Sequence, residues 1–191
     1  MRFGLSLWLA ALLAINVPAA FADDDRRDAE TLGFVEWVVL QDSGVRLKAR
    51  LDTGARTSSL HAVNVEPFEK DGKRWVSFEL PLDDHKSPED ADDDNIVLQF
   101  ERPVERTVLI KRKGAGSQRR YVVRMDFCIA GEKHETQFSL TDRSRFNYAV
   151  LLGRRFLGDD NILVDSSDSF QASRECDYET LEELEQERDA D

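Results

Sequence analysis

The chain has 191 residues, 26 of them basic and 38 acidic, for a formal net charge of −12, and 41% of it is hydrophobic. That length suits one domain with a substantial core. Its acidity repels phosphate backbones and excludes nucleic acid as the expected partner.

The first segment reads as an export signal. Met1-Arg2 gives a positive start, Leu5 to Val17 is apolar apart from Ser6 and Asn16, and Ala20-Phe21-Ala22 is a small-x-small cleavage site. Residues 1–22 are therefore expected to be a signal peptide and the mature protein to be periplasmic or secreted. No later stretch approaches the roughly 20 apolar residues of a spanning helix. Residues 23–32 form an acidic lead.

Short strands follow. Gly33 to Leu40 is rich in β-branched and aromatic residues, and Asp42-Ser43-Gly44 marks a turn. Val45 to Leu51 alternates apolar and basic residues at period two, as a half-buried strand does, and ends at Asp52. Arg74–Leu80, Asn95–Phe100, Arg106–Lys111, Arg119–Ile129 and Lys133–Leu140 are further strand candidates. Turn signals at Asp71-Gly72, Asp83 to Asp94, Gly114-Ala115-Gly116 and Gly131 separate them. Tyr148 to Gly153 reads as a buried strand, Arg154 to Leu157 as a helical turn, and Asn161 to Asp165 as the last strand. The pattern predicts an all-β barrel or sandwich over residues 33–167. Residues 168–191 form an acidic tail, helix-prone from Tyr178 and expected to be frayed or disordered. Cys128 and Cys176 either bridge that tail to the body or stay reduced, with Cys128 buried.

The chemistry is concentrated in Leu51-Asp52-Thr53-Gly54-Ala55. Gly54 permits a tight turn and close approach of a second backbone. The Thr53 hydroxyl is suited to locking the loop across an interface, and Asp52 projects its carboxylate into a cleft. Two such carboxylates about 3 Å apart hold one proton between them. The ionised one takes a proton from water while the other polarises the scissile carbonyl. By itself such a triplet also occurs by chance in turns.

The longer run from Ala49 to Ala62, with Thr57-Ser58-Ser59-Leu60-His61-Ala62 after the triplet, resembles a bacterial retropepsin-like aspartic protease family often labelled ATP-dependent zinc protease. Val150-Leu151-Leu152-Gly153-Arg154-Arg155-Phe156-Leu157 and Ile162-Leu163-Val164-Asp165 extend the resemblance, which covers roughly Gly33 to Ser167. It implies a single-domain retropepsin-like barrel with Asp52 catalytic and Thr53 and Gly54 supporting its loop. Ala55, Leu151, Leu152 and Gly153 would line or support the cleft. It also implies an exported aspartic endopeptidase for peptide or protein substrates, with the Asp52 dyad formed across a homodimer. The alternative is a non-catalytic peptide-binding or regulatory module of the cell envelope on the same fold. The zinc and ATP of the label find no motif. His134-Glu135-Thr136-Gln137-Phe138 lacks a second histidine, and Gly114-Ala115-Gly116-Ser117 lacks the lysine of a phosphate loop, so no metal and no cofactor are expected.

Three departures stand out. Only one Asp-Thr-Gly is present. Arg56 and Arg154 occupy positions where retroviral enzymes pair an Asp with an Arg. Asp165 lacks a following Gly and is read as structural, pairing with Arg154 or Arg155, while His61 is read as packed or loop-bonded. A flap over the cleft is sought in Arg74–Phe100 or in Thr107–Val123.

Overall fold

The computed structural model describes residues 29–82, 85, 96–112, 115–180, 183 and 186. The expected signal peptide, most of the acidic lead, nearly all of the Asp83–Asp94 run, Gly114, and Leu181 and Leu184 of the tail lie outside them.

The predicted all-β architecture is what the chain adopts. Strand β1 (Glu30–Gly33) precedes β2 (Val35–Leu40), β3 (Arg46–Asp52), β4 (Ser58–His61), β5 (Val63–Lys70), β6 (Lys73–Pro81) and β7 (Val97–Pro103). Then come β8 (Arg106–Arg112), β9 (Ala115–Ile129), β10 (Glu132–Thr141), β11 (Val150–Gly153), the one-turn helix α1 (Arg154–Asp159) and β12 (Ile162–Asp165). The main sheet runs β10-β4-β11-β3-β2-β9-β8, and a further β9–β10 pairing closes its first six strands into a barrel. Closure leaves those strands without a free edge. The remaining strands form a β5-β6-β7 meander and a parallel β1–β12 pair.

Local chemistry accounts for these elements. In β3, Leu47, Ala49 and Leu51 are buried while Arg46, Lys48 and Arg50 point outward, the period-two pattern of the sequence. The β5–β6 hairpin turns on Asp71 and Gly72, at φ 53° and 70°, as a two-residue primed turn requires. Inside the barrel, Phe127 packs against both Phe138 and Phe156. The meander adds Val76, Leu80 and the stacked pair Phe78 and Phe100 to the same core.

The first half of the acidic tail lies along the body rather than fraying. Cys176 is bonded to Cys128, which settles the two cysteine alternatives in favour of a bridge. Phe170 stacks on Trp37, and Arg46 sits over the rings of both Trp37 and Tyr178. The carboxylate of Glu36, only 1% exposed, accepts backbone N–H bonds from Gly33 and Gln171 at 2.7 Å each. A buried carboxylate is tolerable where peptide groups solvate it in this way.

Candidate active site

Asp52 ends β3, and its side chain is 28% exposed. Its Oδ1 accepts the backbone N–H groups of Gly54 (2.9 Å) and Ala55 (3.1 Å), while Oδ2 faces the Arg50 Nε at 3.8 Å. One oxygen is thus fixed by the turn, and the other remains directed toward the basic side of the site.

The loop is held from behind by the strand that the sequence singled out. Gly153 pairs with Asp52, and its N–H donates to the Ser58 Oγ at 3.1 Å. Arg154 N–H and Arg155 N–H donate to the carbonyls of Ala55 (2.8 Å) and Arg56 (3.2 Å). A Cβ on Gly153 would come within 2.6 Å of the Thr57 carbonyl carbon, so only glycine admits this approach. Gly54 has more room, its hypothetical Cβ meeting only the Asp52 Oδ1 at 3.2 Å. Thr53 is exposed and makes no side-chain hydrogen bond among the described residues. Ala55 and Leu151 are half-buried, and Leu152 is fully buried in the core.

Cross-strand register shows what shares a face with Asp52. Leu151 is paired with Arg50 on one side and Ser59 on the other, and Ser59 with Ser139 beyond. Paired residues point to the same side of a sheet, as do residues two apart along a strand. Asp52, Arg50, Leu151 and Ser59 therefore line one outer face. Arg143 reaches this face from the loop after β10. It is 6% exposed, and its Nη1 donates to the Ser59 Oγ (2.8 Å) and its Nε to the Tyr148 carbonyl (3.0 Å). Burial, followed by the like charges of Arg120 and Arg50, lowers its pKa to about 10, against a smaller opposing pull from Asp52. It remains a cation at neutral pH. Sequence reasoning gave no role to Arg50, Ser58, Ser59 or Arg143. The run Thr57-Ser58-Ser59 carried the one available signal, hydroxyl residues inside a family motif.

The other sequence expectations resolve individually. His61 is fully buried and its Nδ1 accepts the Arg143 N–H at 2.8 Å, so it is packed and loop-bonded. Asp165 does not pair with Arg154 or Arg155. Its Oδ1 accepts the N–H and hydroxyl of Ser167 at 2.8 and 2.5 Å, and those bonds lower its pKa. Arg56 and Arg154 are both exposed, which lets solvent screen their like charges. Of the two flap candidates, the β8–β9 hairpin brings Arg120 close enough to act on Arg143.

A closed β-barrel with a strand-end Asp-Thr-Gly loop, buttressed by an apolar strand ending in Gly-Arg, defines a retropepsin-type protein. The chain belongs to the RimB-like family, described as retropepsin-like aspartic endopeptidase RimB, whose model matches residues 31–175. It therefore belongs to an enzyme family. A crystal structure of a Legionella pneumophila protein of unknown function is similar, with a TM-score of 0.62 and 31% identity over 75% of this chain and 98% of that one. Curated relatives include a probable alpha-L-glutamate ligase of Shewanella pealeana, 38% identical over 150 residues, covering 78% of this chain and 31% of that protein. Another, from Parasynechococcus marenigrum, bears the same description and is 36% identical over 142 residues, covering 73% and 28%. The chain thus spans less than a third of the curated relatives it matches.

These relatives overturn the expected function, an exported endopeptidase with an Asp52 dyad across a homodimer, and also its alternative, a non-catalytic envelope module. Curated proteins at 34–38% identity are described as glutamate ligases. The expectation rested on the Asp-Thr-Gly loop and on the family resemblance, which specify a fold and a loop geometry rather than a reaction.

Proposed function

We propose that the chain is an enzyme of α-glutamyl peptide metabolism, with Asp52 acting on the amide bond between α-linked glutamates; this differs from the overturned expectation in its substrate, glutamate chains alone, and in using one Asp52 rather than a shared dyad. One observation carries this reading, a local inversion of charge. In a chain of net charge −12, Arg50, Arg56 and Arg154 flank the Asp52 loop in sequence or by backbone pairing, and Arg143 lies within electrostatic reach of Asp52, Arg50 and Arg120. Arginines so placed hold carboxylates, the side chains that an α-glutamate chain repeats at every residue. The curated relatives are described as probable alpha-L-glutamate ligases, which names glutamate as the group they handle.

In this reading Asp52, fixed by the Gly54 and Ala55 N–H groups, takes a proton from a water molecule as the water oxygen bonds to the amide carbon. The C–N bond then breaks, the proton passes from Asp52 to the departing nitrogen, and the products are a carboxylate and an amine. A location outside the cytoplasm is supported by the apolar run near Met1 and by the Cys128–Cys176 bridge, which suits an oxidising compartment.

The test is to incubate the protein and its Asp52→Asn variant with α-linked oligoglutamate and with a glutamine oligomer of equal length, reading products by mass spectrometry. Shortened glutamate chains from the wild type only, with the glutamine oligomer intact, are expected. Chains that lengthen with ATP and glutamate would replace bond breaking by bond making. Unchanged glutamate chains with a folded wild type would sink the reading.

A further inference from the structure

We infer that Arg143 is the specificity-determining residue of this site, a preformed guanidinium receptor for one side-chain carboxylate of the bound glutamyl chain. The inference rests on the proposed function and names the group that reads the substrate.

Three observations carry it. First, Arg143 is a buried cation that lacks an internal counter-ion, since no described carboxylate lies within ion-pair distance of it. A lone buried charge is costly, and folded chains normally pair it. Its electrostatic neighbours are two more cations, Arg120 and Arg50, against the smaller opposing pull of the Asp52 carboxylate. Second, the guanidinium is immobilised before any ligand arrives. The Ser59 hydroxyl and the Tyr148 carbonyl hold two of its nitrogens, and the Arg143 backbone N–H is tied to His61. A planar fork held in this way loses little freedom on binding. Third, it sits just under the surface on the Asp52 side. The ring against it, with the Arg143 Cζ 4.8 Å from its centroid, belongs to Phe146, which is 58% exposed.

The spacing is also suitable. Ser59, which anchors the guanidinium, is two strands from Arg50 and therefore from the edge bearing Asp52. At about 4.8 Å per strand that is roughly 10 Å. A glutamate side chain displaced from the reacting amide by one or two residues along an extended chain spans such a gap. Leu151 lies between as an apolar floor for its methylenes.

The experiment uses protein carrying Asp52→Asn, so that ligand is bound without turnover, and measures affinity for a labelled α-linked glutamate oligomer by fluorescence anisotropy. The comparison is a set of oligomers each carrying glutamine at one position. We expect one position at which glutamine weakens binding roughly ten- to hundredfold, the size of a charge-assisted hydrogen bond. Adding Arg143→Met should reduce that penalty to less than about threefold, and Arg143→Lys should leave it intermediate. Because Met at a buried site can unfold the protein, near-UV circular dichroism accompanies each variant, and the Lys variant decides if the Met variant does not fold. A penalty unchanged in a folded Arg143 variant, or equal tolerance of glutamine at every position, overturns the inference while leaving the proposed function standing. Failure of every glutamate oligomer to bind would remove the proposed function itself.

Discussion

A Cβ at Gly153 would lie 2.6 Å from the Thr57 carbonyl carbon and 2.7 Å from its oxygen. Both are backbone atoms of the segment that continues the Asp52 loop, so the clash has no flexible side chain to absorb it. Gly153→Ala must push β11 away from the loop that it hydrogen-bonds through Arg154 and Arg155. A loss of about 1–3 kcal/mol of stability is expected from such overpacking, read as a lower urea midpoint. Turnover should fall further than stability, because the displaced atoms position the Asp52 carboxylate. Gly54→Ala is the control. Its new methyl meets only the Asp52 Oδ1, at 3.2 Å, in an exposed loop, so its stability should shift less than that of Gly153→Ala. An unchanged Gly153→Ala midpoint would show that the barrel yields at this contact.

The strap from Asp168 to Thr180 shows how an element can be tied down without being a strand or helix. It leans on Glu36, on the Trp37 ring and on one disulfide, and it holds Phe170 at φ 56°, a conformation unusual for an aromatic residue. Reducing the Cys128–Cys176 bond, which closes a separation of 48 residues, frees that loop in the unfolded chain. The loss is expected to be up to about 4 kcal/mol in the chain-entropy view. Urea unfolding with and without reductant measures it, and coincident curves would mean that Glu36 and Trp37 hold the strap alone. Patterning could not reveal the strap, because its contacts are single polar and aromatic anchors rather than a periodic face. The strands were legible where side chains alternate, as in β3, and β4 and β5 were missed because Ser58, Ser59, Asn64 and Glu66 break the apolar rhythm. Asp52, Gly54 and Gly153 were readable because backbone geometry restricts those positions to particular residues. Arg143 was not, since nothing in Asp142-Arg143-Ser144-Arg145 signals that one arginine turns inward while its neighbours are exposed.

On the scale of the whole molecule, two electrostatic ranges compete for a polyanionic ligand. The chain carries −12 overall, with acid concentrated in Asp23–Asp25, Asp83–Asp94 and Glu175–Asp191, while the Asp52 face presents arginines. Long-range repulsion by the net charge and short-range attraction by the arginines respond differently to salt. The screening length is about 30 Å at 0.01 M and about 8 Å at 0.15 M. In dilute buffer the approaching glutamate chain feels the whole acidic molecule, whereas at physiological strength it feels mainly what it touches. Association of a glutamate oligomer should therefore quicken as salt rises from about 0.01 M to about 0.1 M, then slow as further salt screens the arginines themselves. Stopped-flow fluorescence across that range reads the rate directly. A rate that only falls from the lowest salt upward would mean that the arginine face already governs approach at long range. A rate insensitive to salt would mean that the ligand is not recognised by charge, and the assignment of this face to glutamyl chains would lose its footing.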